Sequence, residues 1–169
     1  MNIKIFSRCS VLFTLLFSMC MGQTDFNSRV NSIISGNIPL IHQDSLSTML
    51  SSNRQPVLID ARSIEEYEVS HIKGAKFVDY DSFSPDMVNG IDKDEEVVVY
   101  CSIGYRSEKI GEKLKEMGYT NVLNLYGGIF DWKNNGHEVV DGQNVVTDSV
   151  HTYNKNWSKW LYKGIKVYE

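Results

Sequence analysis

Val97-Val98-Val99-Tyr100 is an unbroken apolar run, and it leads directly into Cys101-Ser102-Ile103-Gly104-Tyr105-Arg106 and then into an amphipathic stretch. A run with no polar face predicts a strand buried on both sides, as in a parallel sheet. From Ser107 to Met117 the apolar positions Ile110, Leu114 and Met117 share one helical face, and Gly118 stops the helix. Strand, tight loop and helix in immediate succession place the loop beyond the carboxyl end of a strand, where open α/β sheets bind ligands.

The rest of the chain repeats this alternation. Val57-Leu58-Ile59, Ala75–Val78 and Val122–Leu125 read as further strands. Gln43–Ser52 carries Leu46, Met49 and Leu50 at helical spacing. Ser63 caps a turn whose positive end suits Glu65 and Glu66, Ser82–Asn89 forms a short helix, and Gly128–Asn135 forms another, closed by Gly136. The prediction is an α/β fold: a parallel sheet of about five short strands with helices on both faces.

The ends differ from this middle. Lys4 and Arg8 precede a greasy stretch from Cys9 to Met21. A run of about 13 residues is short for ~30 Å of hydrocarbon. It predicts a secretory signal peptide over residues 1–22, with Gln23 as the new N-terminus and an exported, periplasmic or secreted product. The alternatives are an uncleaved anchor and lipidation of Cys20, the latter weakened by the large Met19 before it and the one route by which a mature chain would hold to a membrane. Export leaves Cys101 as the sole cysteine, without an internal disulfide partner. Residues 23–39 read as a linker or loosely docked arm, 40–140 as the domain, and 141–169 as an aromatic-rich extension. In that extension Trp157, Trp160 and Leu161 fall on one helical face, which packs on its own domain or docks a protein partner. The net charge of −4 excludes a basic nucleic-acid footprint. His42, His137 and His151 show no metal-ligand spacing, so neither metal nor cofactor is expected.

The chemistry concentrates in the loop. A short loop entering a helix N-terminus aims several backbone N–H groups inward and favours an anion. Cys101 at its start is the candidate nucleophile, Gly104 allows the tight turn, and Arg106 adds a fixed positive charge. The plainer reading is a buried structural cysteine followed by a surface loop.

Four motifs in order carry a family resemblance. Asp60-Ala61-Arg62 follows the first strand, and Glu66-Tyr67 leads to His71-Ile72-Lys73-Gly74-Ala75. Tyr100 to Ser107 holds the loop, and Gly127-Gly128-Ile129 with Trp132 and Gly136 closes the unit. The chain resembles the rhodanese-like domains, in particular the small single-domain, often exported sulfurtransferases. The resemblance implies double displacement: Cys101 takes the outer sulfur of thiosulfate or a persulfide, holds it as a persulfide, and gives it to a thiol or cyanide. Ser102, Ile103, Gly104, Tyr105 and Arg106 would form the anion loop. Asp60 would brace that loop through Arg106 or backbone amides, Arg62 would be a fixed ion-pair partner, and His71 would sit on a packed turn rather than act as a base. Trp132 would dock a helix. Related phosphatases and arsenate reductases use a loop one residue longer, where this chain would place Ser107. Two-domain members carry a basic residue where this sequence places Glu66, which weighs against thiosulfate as the physiological donor. Competing readings are a persulfide-carrying or docking module without turnover, a redox protein, disfavoured by the missing second cysteine, and a phosphatase, disfavoured by loop length.

Overall fold

Five strands lie parallel in one sheet, and its centre is the run Val97–Tyr100, whose apolar side chains are buried on both faces. The computed structural model describes residues 25–53 and 55–168. The expected signal peptide, with Cys9 and Cys20, lies outside the described residues. In chain order the elements are α1 (residues 25–31), β1 (Leu40–Ile41), α2 (Gln43–Leu50), β2 (Val57–Asp60), α3 (Ile64–Val69), β3 (Lys76–Phe77), β4 (Glu96–Tyr100), α4 (Tyr105–Glu116), β5 (Asn121–Leu125), α5 (Gly128–Asn134), β6 (Val139–Val140), β7 (Val146–Thr147), β8 (Ser149–His151) and β9 (Ile165–Val167). The parallel sheet has the order β1-β5-β4-β2-β3, which makes the expected α/β class a finding.

The central strand β4 divides two cores. Val97 and Val99 point to the face covered by Ile110 and Leu114 of α4, while Val98 and Tyr100 point to the face packed with Leu46, Ile129 and Trp132. The predicted helix start at Ser63 is a full capping box, its hydroxyl accepting from the Glu66 amide and the Glu66 carboxylate accepting from the Ser63 amide.

Several expectations change. Residues 25–39 are no loose arm: Phe26 and Val30 are fully buried in the core beneath the tail, and Ile38 packs against Gly111 of α4. Burial of one such side chain is worth roughly 1.5–3 kcal/mol. Glu108 anchors the segment as well, accepting from the amides of Ser35 (2.7 Å), Gly36 (2.6 Å) and Asn37 (3.1 Å). The extension forms no helical face over Trp157–Leu161 but a single 3-10 turn, Ser158–Trp160. It is held by β7 on β6 and by β8 beside β9, with Val150 and Leu161 fully buried. Ser82–Asn89 contracts to a 3-10 turn at Pro85–Val88, and the strand expected over Ala75–Val78 to two residues.

Candidate active site

The loop begins where β4 ends and finishes sooner than the periodicity implied. Gly104, at φ +113°, is the N-cap, so Tyr105 and Arg106 already belong to the first turn of α4. The Gly104 amide donates to Cys101 Sγ at 3.1 Å. Ser107 Oγ lies 3.5 Å from the same sulfur and donates to Asn124 Oδ1 (2.7 Å), while Asn124 Nδ2 donates to the Gly104 carbonyl (2.9 Å). The outer side of the loop is clamped by α5: the Ile129 amide donates to the Cys101 carbonyl (2.9 Å) and the Phe130 amide to that of Ser102 (3.2 Å). This clamp requires glycine at 128, where a Cβ would stand 2.2 Å from the Cys101 carbonyl oxygen.

Arg106 is a fixed charge, as expected, but its partner is Glu66. Its guanidinium donates to both Glu66 oxygens, at 2.7 and 2.8 Å, and to Ser102 Oγ at 2.9 Å, while Ser102 Oγ donates to Glu66 Oε1 at 2.9 Å. Burial pushes the Glu66 carboxyl up. The hydrogen bonds and charge of Arg106, with the charge of Arg62 and the Ser63 amide, outweigh burial and hold it at about 2. Burial acts on Arg106 in the opposite sense, yet Glu66 and the neighbouring Cys101 keep its pKa above the ordinary value.

The bracing expected of Asp60 therefore falls to Glu66. Asp60 instead grips Arg62, whose Nε and Nη2 donate at 2.9 and 2.6 Å, with both side chains fully buried. The reason is reach: Arg62 stands two residues beyond Asp60 at the strand end, whereas the first turn of α3 delivers Glu66 to the loop. Arg62 Nη2 also donates to the Ser70 carbonyl, closing α3 onto β2. His71 is buried and stacks on Tyr67 with ring centroids 3.9 Å apart, and its backbone exchanges hydrogen bonds with Val140. It does not line the cavity over the thiol. Trp132 donates to the Glu138 carbonyl at 2.9 Å from within the core.

Cys101 is almost wholly buried at the floor of a cavity of about 490 Å³. Ile103 and Tyr105 contribute lining from the loop. The other walls come from Arg29 of α1 and Ile33 just after it, Tyr80 and Asp81 after β3, and Tyr153 and Trp157 of the extension. Sequence reading missed these walls, which come from remote segments, and it missed the Asn124–Ser107 pair. A polar residue inside the apolar strand Val122-Leu123-Asn124-Leu125 was the available signal for Asn124. Among the described residues no three His, Cys, Asp or Glu side chains converge as a metal site would require. The arrangement is that of a thiol nucleophile with a hydrogen-bond donor at its sulfur, opening into a pocket that is itself partly open to solvent.

Known proteins share this core. The family model described as "Rhodanese-like domain" matches residues 42–135. A protein of Allochromatium vinosum named "Sulfurtransferase" is 35% identical over 100 residues, 59% of this chain and 92% of that one. A "tRNA uridine(34) hydroxylase" of Erwinia tasmaniensis is 33% identical over 89 residues, 50% of this chain but 25% of that one. Another relative, from Bacillus subtilis, is also spanned only in part, over 52% of its length. Among solved structures, a rhodanese-like domain protein from Staphylococcus aureus superposes with a TM-score of 0.53 at 30% identity, covering 59% of this chain and 95% of that one.

Proposed function

This chain belongs to the rhodanese-like domain family, and on that premise we propose that it is a sulfurtransferase that carries sulfane sulfur as a persulfide on Cys101. One observation carries the reading: the Cys101 sulfur sits at the floor of the chamber with the Gly104 amide directed at it. The Cys101 thiolate attacks the outer sulfur of thiosulfate or a persulfide. The donor's S–S bond breaks, and sulfite or a thiolate leaves with the electron pair. The Cys101 persulfide then gives its outer sulfur to a thiolate or to cyanide, and the Cys101 thiolate returns. No external oxidant or reductant is needed. Asn124 and Ser107 hold the loop's shape beneath the sulfur, and Glu66 fixes Arg106 at its far end. The naming of the Allochromatium relative as a sulfurtransferase supports the assignment. We place this chemistry outside the cytoplasm, on the charge and apolar pattern of residues 1–22.

Intact mass measurement tests the proposal. Treatment of the chain from Gln23 onward, whose sole cysteine is Cys101, with a sulfane-sulfur donor is expected to add one sulfur atom to the wild type and none to Cys101→Ser, whose hydroxyl cannot hold a persulfide. Transfer from thiosulfate to cyanide at undiminished rate in Cys101→Ser would overturn it.

A further inference from the structure

The chamber over Cys101 is larger and less cationic than a small inorganic dianion needs. At about 490 Å³ it falls within the roughly 300–1,000 Å³ of sites that enclose organic ligands. Thiosulfate would leave most of it to water. Of its two lining cations, Arg106 is already bound through both guanidinium arms by Glu66, and Asp81 adds a carboxylate at the rim. Arg29 is the remaining cation, and among the described residues no carboxylate forms a salt bridge with it. Its guanidinium lies 5.1 Å over the Trp157 ring, which keeps that single positive charge against an aromatic wall.

Another lining residue is conformationally unusual. Tyr153 is half-exposed at φ +64°, a left-handed conformation that a tyrosine seldom adopts. Two neighbours impose it: the Tyr153 amide donates to His151 Nδ1 (3.1 Å), and the Thr152 amide donates to the Val167 carbonyl (2.7 Å). The ring is thereby held in the wall of the chamber, with the Arg106 guanidinium 5.9 Å from its centroid. Strained non-glycine backbone that its surroundings over-determine concentrates at functional sites.

Resting on the sulfurtransferase reading, we propose that Tyr153 and Trp157, with Arg29, form a specificity wall for an organic sulfane-sulfur donor carrying a flat apolar body and a single negative charge. The aromatic faces take the flat body and Arg29 takes the charge. For a thiosulfonate the step balances as follows. The Cys101 thiolate bonds to the terminal sulfur, the S–S bond breaks, the sulfinate leaves with the electron pair, and the negative charge remains on the Cys101 persulfide.

The test compares benzenethiosulfonate, methanethiosulfonate and thiosulfate as donors to the full chain, with cyanide as acceptor. The wild type is expected to show kcat/KM for benzenethiosulfonate about tenfold above that for methanethiosulfonate, and to prefer both to thiosulfate. Tyr153→Gly removes the ring and relaxes the left-handed turn, so it tests the wall without straining the backbone. Trp157→Leu removes the second ring while keeping an apolar side chain against the core. In each variant the ratio of kcat/KM for the aryl donor to that for the methyl donor is expected to fall about fivefold. A wild-type ratio near unity, or a ratio unchanged in both variants, would overturn the wall. Mass measurement separates the two claims: if none of the three donors places a sulfur atom on Cys101, the sulfurtransferase reading falls as well, whereas equal loading by all three removes the specificity wall alone.

Discussion

Glu66 holds Arg106 through both carboxylate oxygens, at 2.7 and 2.8 Å, and so ties the first turn of α4, just beyond the cysteine loop, to the first turn of α3. The carboxyl is held at about 2 against an ordinary 4.5. A depressed carboxylate contributes its stability in full above the unfolded value and loses it as pH falls toward the folded one. The wild type should therefore lose stability between about pH 5 and pH 2 through this group. Glu66→Gln should be less stable at neutral pH and should show a shallower decline over that range. Denaturant titrations at pH 7 and pH 3 measure both, and an equal decline in the two proteins would remove the pair from the account.

Asp60→Ala is expected to damage folding before chemistry. It would leave the fully buried Arg62 without its carboxylate, and breaking a buried pair from one side costs roughly 3–5 kcal/mol. Thermal unfolding reads the cost. A variant with wild-type stability and lost sulfur transfer would move Asp60 into the reacting machinery.

Gly128→Ala attacks the loop from behind. The new Cβ would meet the Cys101 carbonyl at 2.2 Å in a residue already at φ +55°, so the loop or α5 must shift. The expected loss is about 3 kcal/mol of stability, together with a large fall in Cys101 labelling by sulfane donors. A soluble variant that labels at the wild-type rate would mean that the α5 clamp does not set the loop geometry.

Where the chain is regular, sequence and structure agree. The run Val97–Tyr100 could not be solvated on either side, and the spacing of Ile110 and Leu114 admits one helical face, so β4 and the body of α4 follow from pattern alone, while the end of the loop between them does not. The partner of Arg106 was not legible in the same way. Asp60 and Glu66 are both acidic and both close in sequence, and the choice between them depends on which element end faces the loop. Residues 25–39 misled for another reason: their polar composition hides Phe26, Val30 and Ile38, three apolar side chains that are buried because the extension and α4 cover them. Two-residue strands such as β1 and β3 are recruited by the sheet rather than by their own propensity.

Phe26 joins the two ends of the chain, and its replacement tests whether they form one body with the domain. Its ring lies 6.1 Å from that of Trp160 and 6.3 Å from that of Tyr162, and it belongs to the same core as Leu125, Ile129 and Leu161. A loosely docked arm would tolerate Phe26→Ala at under about 0.5 kcal/mol, as surface substitutions do. A buried phenylalanine truncated to alanine costs roughly 3–5 kcal/mol. Leu161→Ala, from the other end, is expected to cost roughly 2–5 kcal/mol. Because both side chains support the same cluster, the double variant should depart from additivity by about 0.5–3 kcal/mol, which equilibrium denaturation of the four proteins in the cycle resolves. α1 and the turn after it carry Arg29 and Ile33 into the chamber over Cys101, so Phe26→Ala should also weaken organic donor binding while Cys101 remains present and reactive. A small stability loss with no coupling to Leu161 would mean that the two ends pack independently and that the chamber is walled without their joint support.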